Sequence, residues 1–437
     1  MEYIKQVMSL LSKSYSPFHV VKNIKEELLK DGYIELDEKE NFALEKGRNY
    51  FVTRNDSSII AFAIPARLNS LSFQISASHT DSPTFKLKPS PIVEAGNLLK
   101  LDTEPYGGGI YNTWMDRPLS IAGRVLVKEG DKINTHLLNI DQDLLFIPNV
   151  AIHMNREINR GYNYNPAVDM LPLFGEKSDH FDFEEYLLEQ LGLDDGKIIS
   201  HDLFLYNRDL PRLVGKEGEF LSSGREDDLA STYTALLGLL NSRKNTQINV
   251  YAAFDNEEVG SLTKQGANST FLKDIIQRIV ACFQKEKDDY HKAVASSVLI
   301  SIDNAHANHP NHPELSDRKT DVKLNGGIVI KYNADQRYTS DSFSSSIVKA
   351  LCKEVEVPYQ EYTNRSDLRG GSTLGNISNS EISLTSADIG IAQLCMHSSN
   401  ELCGSYDIDR MVEFTKAFFS YRIQLEGNSI SLIRKAK

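Results

Sequence analysis

Four apolar, β-type runs in the 437-residue chain end in groups that can ligate a divalent cation. LSFQISAS (71–78) leads into His79 and Asp81, and INVYAAF (248–254) leads into Asp255, Asn256, Glu257 and Glu258. SSVLISI (296–302) leads into Asp303, and GIAQLCM (390–396) into His397. Asp227 and Asp228 precede a helical pattern that starts near Leu229. Each has a plain structural reading. A strand-end histidine is commonly a hydrogen-bonded polar group, an Asp ahead of a helix is an N-cap, adjacent glutamates form a solvated pair, and Asp303 starts a turn. Their concurrence points elsewhere, because carboxylates gathered beside apolar strands carry a heavy desolvation cost unless a cation neutralises them.

Two imidazoles with several carboxylates suit Zn²⁺, with Co²⁺ or Mn²⁺ as alternatives. Two ions about 3.5–4 Å apart need a bridging carboxylate and can activate water between them. His79 and Asp81 stand two apart in an extended segment, so their side chains share a side and Asp81 can orient the imidazole. Glu257 and Glu258 must point differently, which lets one bind metal and the other accept a proton. The pattern is that of a two-metal hydrolase. Other patterns are weaker. The run HANHPNHPE holds His306, His309 and His312, but its two prolines argue for a loop. Gly107-Gly108-Gly109 lacks the GxGxxG spacing of a dinucleotide site. Gly371-Ser372, Asp388 and His397 follow the chain order of an α/β-hydrolase triad without its GxSxG elbow.

The elements that must position these groups are legible. Ile4, Val7, Met8 and Leu11, then Val20, Val21, Ile24 and Leu28, predict two amphipathic helices within 1–31, with Pro17 at the first position of the second. NYFVTR, SIIAFAIP and LSFQISAS read as strands. From 83 to 221 short alternating runs separated by turn residues predict a β-rich module. From 225 onward helix and strand alternate: 227–243 and 271–283 helical, 248–254 and 296–302 buried strands. The fold class expected is α/β, a mixed, largely parallel sheet flanked by helices. A β-rich domain at 83–221 interrupts an α/β domain made of 1–82 and 222–437. Net charge is 48 − 60 = −12, which argues against a nucleic-acid partner. No run approaches the roughly 18–20 apolar residues of a membrane span. Four cysteines without a CxxC pair, and an N-terminus without an apolar h-region, predict a cytoplasmic protein.

The same residues sit in segments similar to the aspartyl aminopeptidase family of dinuclear zinc peptidases. These are SASHTDSPTFKLKP (76–89), EPYGGGIYNTWMDRPLSIAGRVLVK (104–128), IPNVAIHMNREIN (147–159), FDNEEVGS (254–261), SIDNAHANHPN (301–311), GGIVIKYNADQRYTSD (326–341), RGGSTLGN (369–376) and CMHSSNE (395–401). They follow one order over most of the chain. The resemblance implies a metallo-aminopeptidase with peptide substrates and two Zn²⁺ per subunit. His79 and Asp303 would hold one ion and Glu258 and His397 the other, with Asp227 bridging. Glu257 would be the general base and Asp81 the orienting carboxylate. It also implies a zinc-peptidase-like domain with an inserted dimerisation domain, and dimers that assemble into a dodecamer. His153 would reach the neighbouring subunit's site, His306 would lie near substrate, and Lys331 would meet an acidic residue at P1, the substrate's N-terminal position. The sequence departs from the family's usual pattern at Asp228 (commonly Asn), at Cys395 (usually Ala), and in RSDLRGGSTLGNIS with Arg369 and Asn376. These departures bear on P1: Asp or Glu is expected, a neutral or broad preference is the alternative, and Arg369 is a second candidate reader of an acidic side chain. The competing class is a non-catalytic, self-assembling shell, which should lack at least one of the six central residues.

Overall fold

The structure is a computed structural model that describes residues 2–434 except 69–70, 179, 244–245, 285, 287, 369 and 372. Its centre is a nine-stranded sheet in the order Ile34–Glu35, Asn49–Arg54, Ser58–Ala63, Ile248–Phe254, Phe73–His79, Val298–Ile302, Thr385–Gly390, Ile328–Tyr332 and Tyr359–Thr363. The strands Ile248–Phe254, Phe73–His79, Val298–Ile302 and Thr385–Gly390 run parallel to one another. Antiparallel neighbours flank that block on both sides. Every residue of Phe73–His79 and Ile248–Phe254 is buried, as expected where helices cover both faces of a parallel block.

Alternation along a strand splits its side chains between two cores. Tyr251 and Ala253 face a cluster built with Ile4, Val20, Leu236 and Phe414, from the helices Tyr3–Leu11, Pro17–Lys30, Glu226–Leu240 and Ser405–Ser420. Val250, Ala252 and Phe254 face the other cluster, with Phe271, Ile275 and Ile279 of Phe271–Phe283 and Leu374 of Leu374–Glu381. Pro17 opens its helix, as the sequence predicts.

A second, antiparallel sheet has six strands in the order Lys132–Asn139, Leu119–Glu129, Lys197–Asn207, Thr84–Ala95, Leu98–Tyr106 and Leu173–Glu176. It has its own core around Phe85, Trp114, Ile121 and Leu203. Arg212–Val214, inside the expected span 83–221, and Phe220–Ser223, which crosses its end, do not join it. Phe220–Ser223 pairs with Arg212–Val214 on one side and with Glu401–Gly404 on the other, in a smaller sheet that continues through Ala392–Leu394 to Ala305–His306.

Register decides what meets at the sheet edge. His79 lies opposite Phe254, so the loops holding Asp81 and Asp255–Glu258 leave the sheet side by side. Asp303 leaves the parallel neighbour Val298–Ile302 at the same edge, the carboxyl end where α/β sheets hold their sites.

Candidate metal centre

Three overlapping groups of donors form at this edge, the atoms within each lying within 4.8 Å of one another: His79 with Asp227, Asp228 and Asp303; His79 with Glu257 and Glu258; and Asp227 with Glu258 and His397. Asp227 joins the two imidazoles. Its Oδ1 lies 3.6 Å from His79 Nε2 and its Oδ2 3.4 Å from His397 Nε2. His397 Nε2 is also 3.5 Å from Glu258 Oε1. The N-cap reading of Asp227 and Asp228 gives way here. The helix begins at Glu226 after Arg225 with no side-chain cap, and Asp227 and Asp228 carry non-helical angles. Nor are Glu257 and Glu258 a solvated pair, since the Glu258 side chain is 5% exposed.

The other ring nitrogens are held by backbone. His79 Nδ1 stands 3.1 Å from the Asp81 carbonyl, nearer than the Asp81 carboxylate at 3.4 Å. His397 Nδ1 stands 2.7 Å from the Gly108 carbonyl. Each carbonyl fixes the proton on Nδ1 and leaves Nε2 free to ligate. The Asp81 carboxylate accepts from Tyr106 Oη at 2.7 Å and from the backbone amides of Glu257 at 3.1 Å and Glu258 at 3.2 Å. It therefore shapes the glutamate turn as much as it orients the histidine.

Tyr106, Gly107, Gly108 and Glu401 carry weight that the sequence reading did not assign. A Cβ at Gly107, where φ is +73°, would stand 3.1 Å from Glu258 Cβ. The glycine triplet is the close-packed cradle of Glu258 and His397, and Ile110 N donates to the His397 carbonyl at 3.0 Å. Glu401 accepts from the amides of both His397 (2.7 Å) and Asp227 (3.0 Å), so one buried carboxylate ties two ligand-bearing segments together. His397 itself has φ +67°, a left-handed conformation that a non-glycine residue holds only at a cost of about 1–3 kcal/mol. The motifs EPYGGGIY and CMHSSNE contain all of these residues, but nothing local in them announces contacts with residues hundreds of positions away.

The protein's own charges are unbalanced here. Burial pushes the Glu257 carboxyl up to about 8, His79 opposing and Asp303 reinforcing the shift. Burial lowers His397, but the Asp227 hydrogen bond and the Glu258 charge outweigh it and carry the imidazole up to about 10. Burial raises Asp303, against the nearby Lys331. Asp227 Oδ1, Asp228 Oδ1 and Glu258 Oε1 are buried oxygens without a hydrogen-bond partner. Orphaned acceptors facing ligating nitrogens, in an oxygen and nitrogen donor set, fit divalent cations of the zinc type.

The remaining expected residues are spread out. Lys331 is 2% exposed, not a solvated strand lysine. Its Nζ donates to the Asp303 carbonyl at 2.7 Å and lies 3.5 Å from the Asp303 carboxylate. His306 is exposed, its ring 6.2 Å from that of Tyr362 and within the fields of Asp227, Lys331 and His397. His309 and His312 pack ring to ring, and His312 lies 3.1 Å from Glu314. Among the described residues His306, His309 and His312 enter no metal-capable group. His153 is exposed, beside exposed Val150, Ile152 and Met154. Asp388 accepts from the Thr339 and Thr373 hydroxyls at 2.7 and 2.6 Å, which leaves the triad order without a His397 partner. Arg369 and Ser372 lie outside the described residues.

A sheet of this winding, with two imidazoles and a set of buried carboxylates at its carboxyl edge, defines a metallohydrolase. The chain belongs to the aminopeptidase I zinc metalloprotease family (M18), whose model matches residues 10–419. It is 46% identical over 428 residues to a probable M18 family aminopeptidase 2 of Clostridium novyi (strain NT), covering 96% of this chain and 99% of that one. Among solved structures it superposes on Ape4 from a complex with Nbr1 with a TM-score of 0.92 at 36% identity, over 95% of this chain and 85% of that one. It superposes on the S. cerevisiae mApe1 dodecamer subunit with a TM-score of 0.83 at 25% identity, over 96% of both chains. The protein is a metallo-aminopeptidase by family, and relatives of its fold assemble as dodecamers.

Proposed function

We propose that the protein removes the N-terminal residue, Asp or Glu, from peptides at a centre of two Zn²⁺ ions. The observation that carries this reading is Asp227, whose two carboxylate oxygens face different imidazoles, the arrangement a shared ligand needs. His79 and Asp303 would hold one ion, Glu258 and His397 the other. Ions held there would supply Lewis-acid polarisation of the scissile carbonyl and a more acidic water at neutral pH. Glu257 takes the proton of the attacking water and delivers it to the departing amine. Asp81 and Tyr106 hold the Glu257–Glu258 turn in place while this happens. The complete set of His79, Asp227, Glu257, Glu258, Asp303 and His397 argues against a degenerate shell protein.

A second reading, the same chemistry with a neutral or broad P1 preference, is favoured by Lys331. Its ammonium is engaged with Asp303 and the Asn304 carbonyl inside the fold. Initial rates on peptides that differ only at the N-terminal residue, with zinc defined, separate the two: a strong preference for Asp and Glu supports the first, near-equal rates the second. Removal of metal by a strong chelator should abolish hydrolysis in either case, with recovery on adding Zn²⁺ or Co²⁺. Activity that survives complete chelation would end both readings.

The exposed apolar residues around His153 support assembly through the six-stranded sheet as dimers that build a dodecamer, with His153 reaching a neighbour's centre. Mass photometry showing only monomers would remove that part, as would an assembled His153→Ala variant with unchanged kinetics. Free cysteines throughout, and no helix among the described residues long and apolar enough to cross a membrane, are compatible with a cytoplasmic location.

A further inference from the structure

Between Ile302 and Ala305 the chain leaves the nine-stranded sheet and enters the smaller one. Asn304 sits at that crossing, next to the candidate ligand Asp303, and is buried. Both hydrogens of its amide are used. Nδ2 donates to the Glu226 carbonyl at 2.8 Å and to Gln393 Oε1 at 2.6 Å, while Oδ1 accepts from Ser231 Oγ at 2.6 Å. Its backbone is held as well, since Lys331 Nζ donates to the Asp303 carbonyl at 2.7 Å and to the Asn304 carbonyl at 3.3 Å. The Glu226 carbonyl belongs to the same peptide unit as the Asp227 N–H, and that N–H donates to Glu401 Oε2 at 3.0 Å. One planar group, the peptide that leads into Asp227, is therefore gripped at its oxygen by Asn304 and at its nitrogen by Glu401. Gln393 closes the ring, its Nε2 lying 3.4 Å from Glu401 Oε1. Polarity around the ring is set at Glu401, whose two oxygens receive the amides of Asp227 and His397. Gln393 must turn its NH₂ toward that carboxylate and its oxygen toward Asn304, which must answer with Nδ2.

We infer that Asn304 is a positioning residue for the metal centre, fixing the peptide plane that aims the Asp227 carboxylate and keeping it in register with Asp303. Rotation of that plane would swing the Asp227 side chain, whose two oxygens stand 3.6 and 3.4 Å from two different imidazoles. Loss of the grip should therefore loosen both halves of the centre, not the Asp303 half alone. The amide matters more than the shape. An aspartate of the same outline would set a carboxylate oxygen against two acceptors, the Glu226 carbonyl and Gln393 Oε1. The role rests on the two-ion reading, in which Asp227 is the shared ligand.

The test titrates metal-free full-length protein with Co²⁺ against a competing chelator. It records metal per subunit and the visible Co²⁺ spectrum, which reports coordination geometry. Asn304→Asp should bind both ions about 10–100-fold more weakly and alter the spectrum of the loaded protein. A residue that only stabilises the fold would lower Tm and leave affinity and spectrum unchanged. Asn304→Ala adds no charge and keeps the test open if the aspartate variant does not fold; it should move the same two readouts in the same direction. Wild-type affinity and spectrum in a folded Asn304 variant would overturn the proposal, as would weakening of one ion alone. Wild-type protein that takes up fewer than two Co²⁺ fails at the earlier step: it removes Asp227 as a shared ligand and the role of Asn304 with it.

Discussion

The nine-stranded sheet and the six-stranded sheet make unlike contributions to one site. The first supplies the candidate ligands: His79, Glu258 and Asp303 follow its parallel strands, and Asp227 and His397 arrive from loops against the same edge. The second supplies no ligand in the described groups but sets orientation, through Tyr106 on Asp81 and Gly108 on the His397 ring. Chemistry is thus borne by the rigid doubly covered sheet, and aim by an element with a separate core. The contrast teaches that the six-stranded sheet and the loop leaving it reach the candidate metal centre directly, through Tyr106 and Gly108.

That division can be broken or sharpened by substitution. The largest effect should come from Glu257→Gln, which removes a reacting group and should lower kcat by roughly 10²–10⁴-fold while both metals stay bound by elemental analysis. Near-wild-type turnover would take Glu257 out of its role. Asp227→Asn should weaken zinc retention and activity together, read as metal per subunit after dialysis; full retention of two ions would show that Asp227 is no shared ligand. Tyr106→Phe tests the orienting sheet, with an expected loss of about tenfold in kcat or metal affinity and an unchanged Tm. A loss of stability without loss of turnover would make Tyr106 merely structural. Gly107→Ala should cost about 1–2 kcal/mol for the left-handed backbone and reduce activity through the Glu258 contact. The smallest effect lies away from both. Burial, aided by Lys22 and Arg225, pushes His19 down to about 4 from 6.5. The unfolded chain therefore takes up that proton first, and stability present above pH 6.5 drains away as pH falls toward 4. His19→Gln should flatten the Tm profile over that window.

Strand-end chemistry was legible because period and burial declare themselves locally. Ile248–Phe254 and Phe271–Phe283 fall where the apolar pattern places them, and His79, Asp303 and Glu258 follow directly. Asp81 apart, the orienting residues were not legible. Gly108 and His397 are 289 residues apart, and Glu401 works through backbone amides that carry no side-chain signature. The glycine triplet lacks the spacing of a dinucleotide site, and its use is to let two side chains approach a bare backbone. Arg212–Val214 and Phe220–Ser223 show the same limit. Their composition is β-like, but which sheet they join is decided by Glu401–Gly404 far downstream.

The grip of the Gly108 carbonyl on the His397 imidazole carries a warning for protein engineers. Trimming residues 84–207 to obtain a miniature peptidase would spare every candidate ligand yet take the Gly108 carbonyl from the His397 ring. The smallest functional unit of this enzyme is therefore larger than its inventory of reactive groups suggests.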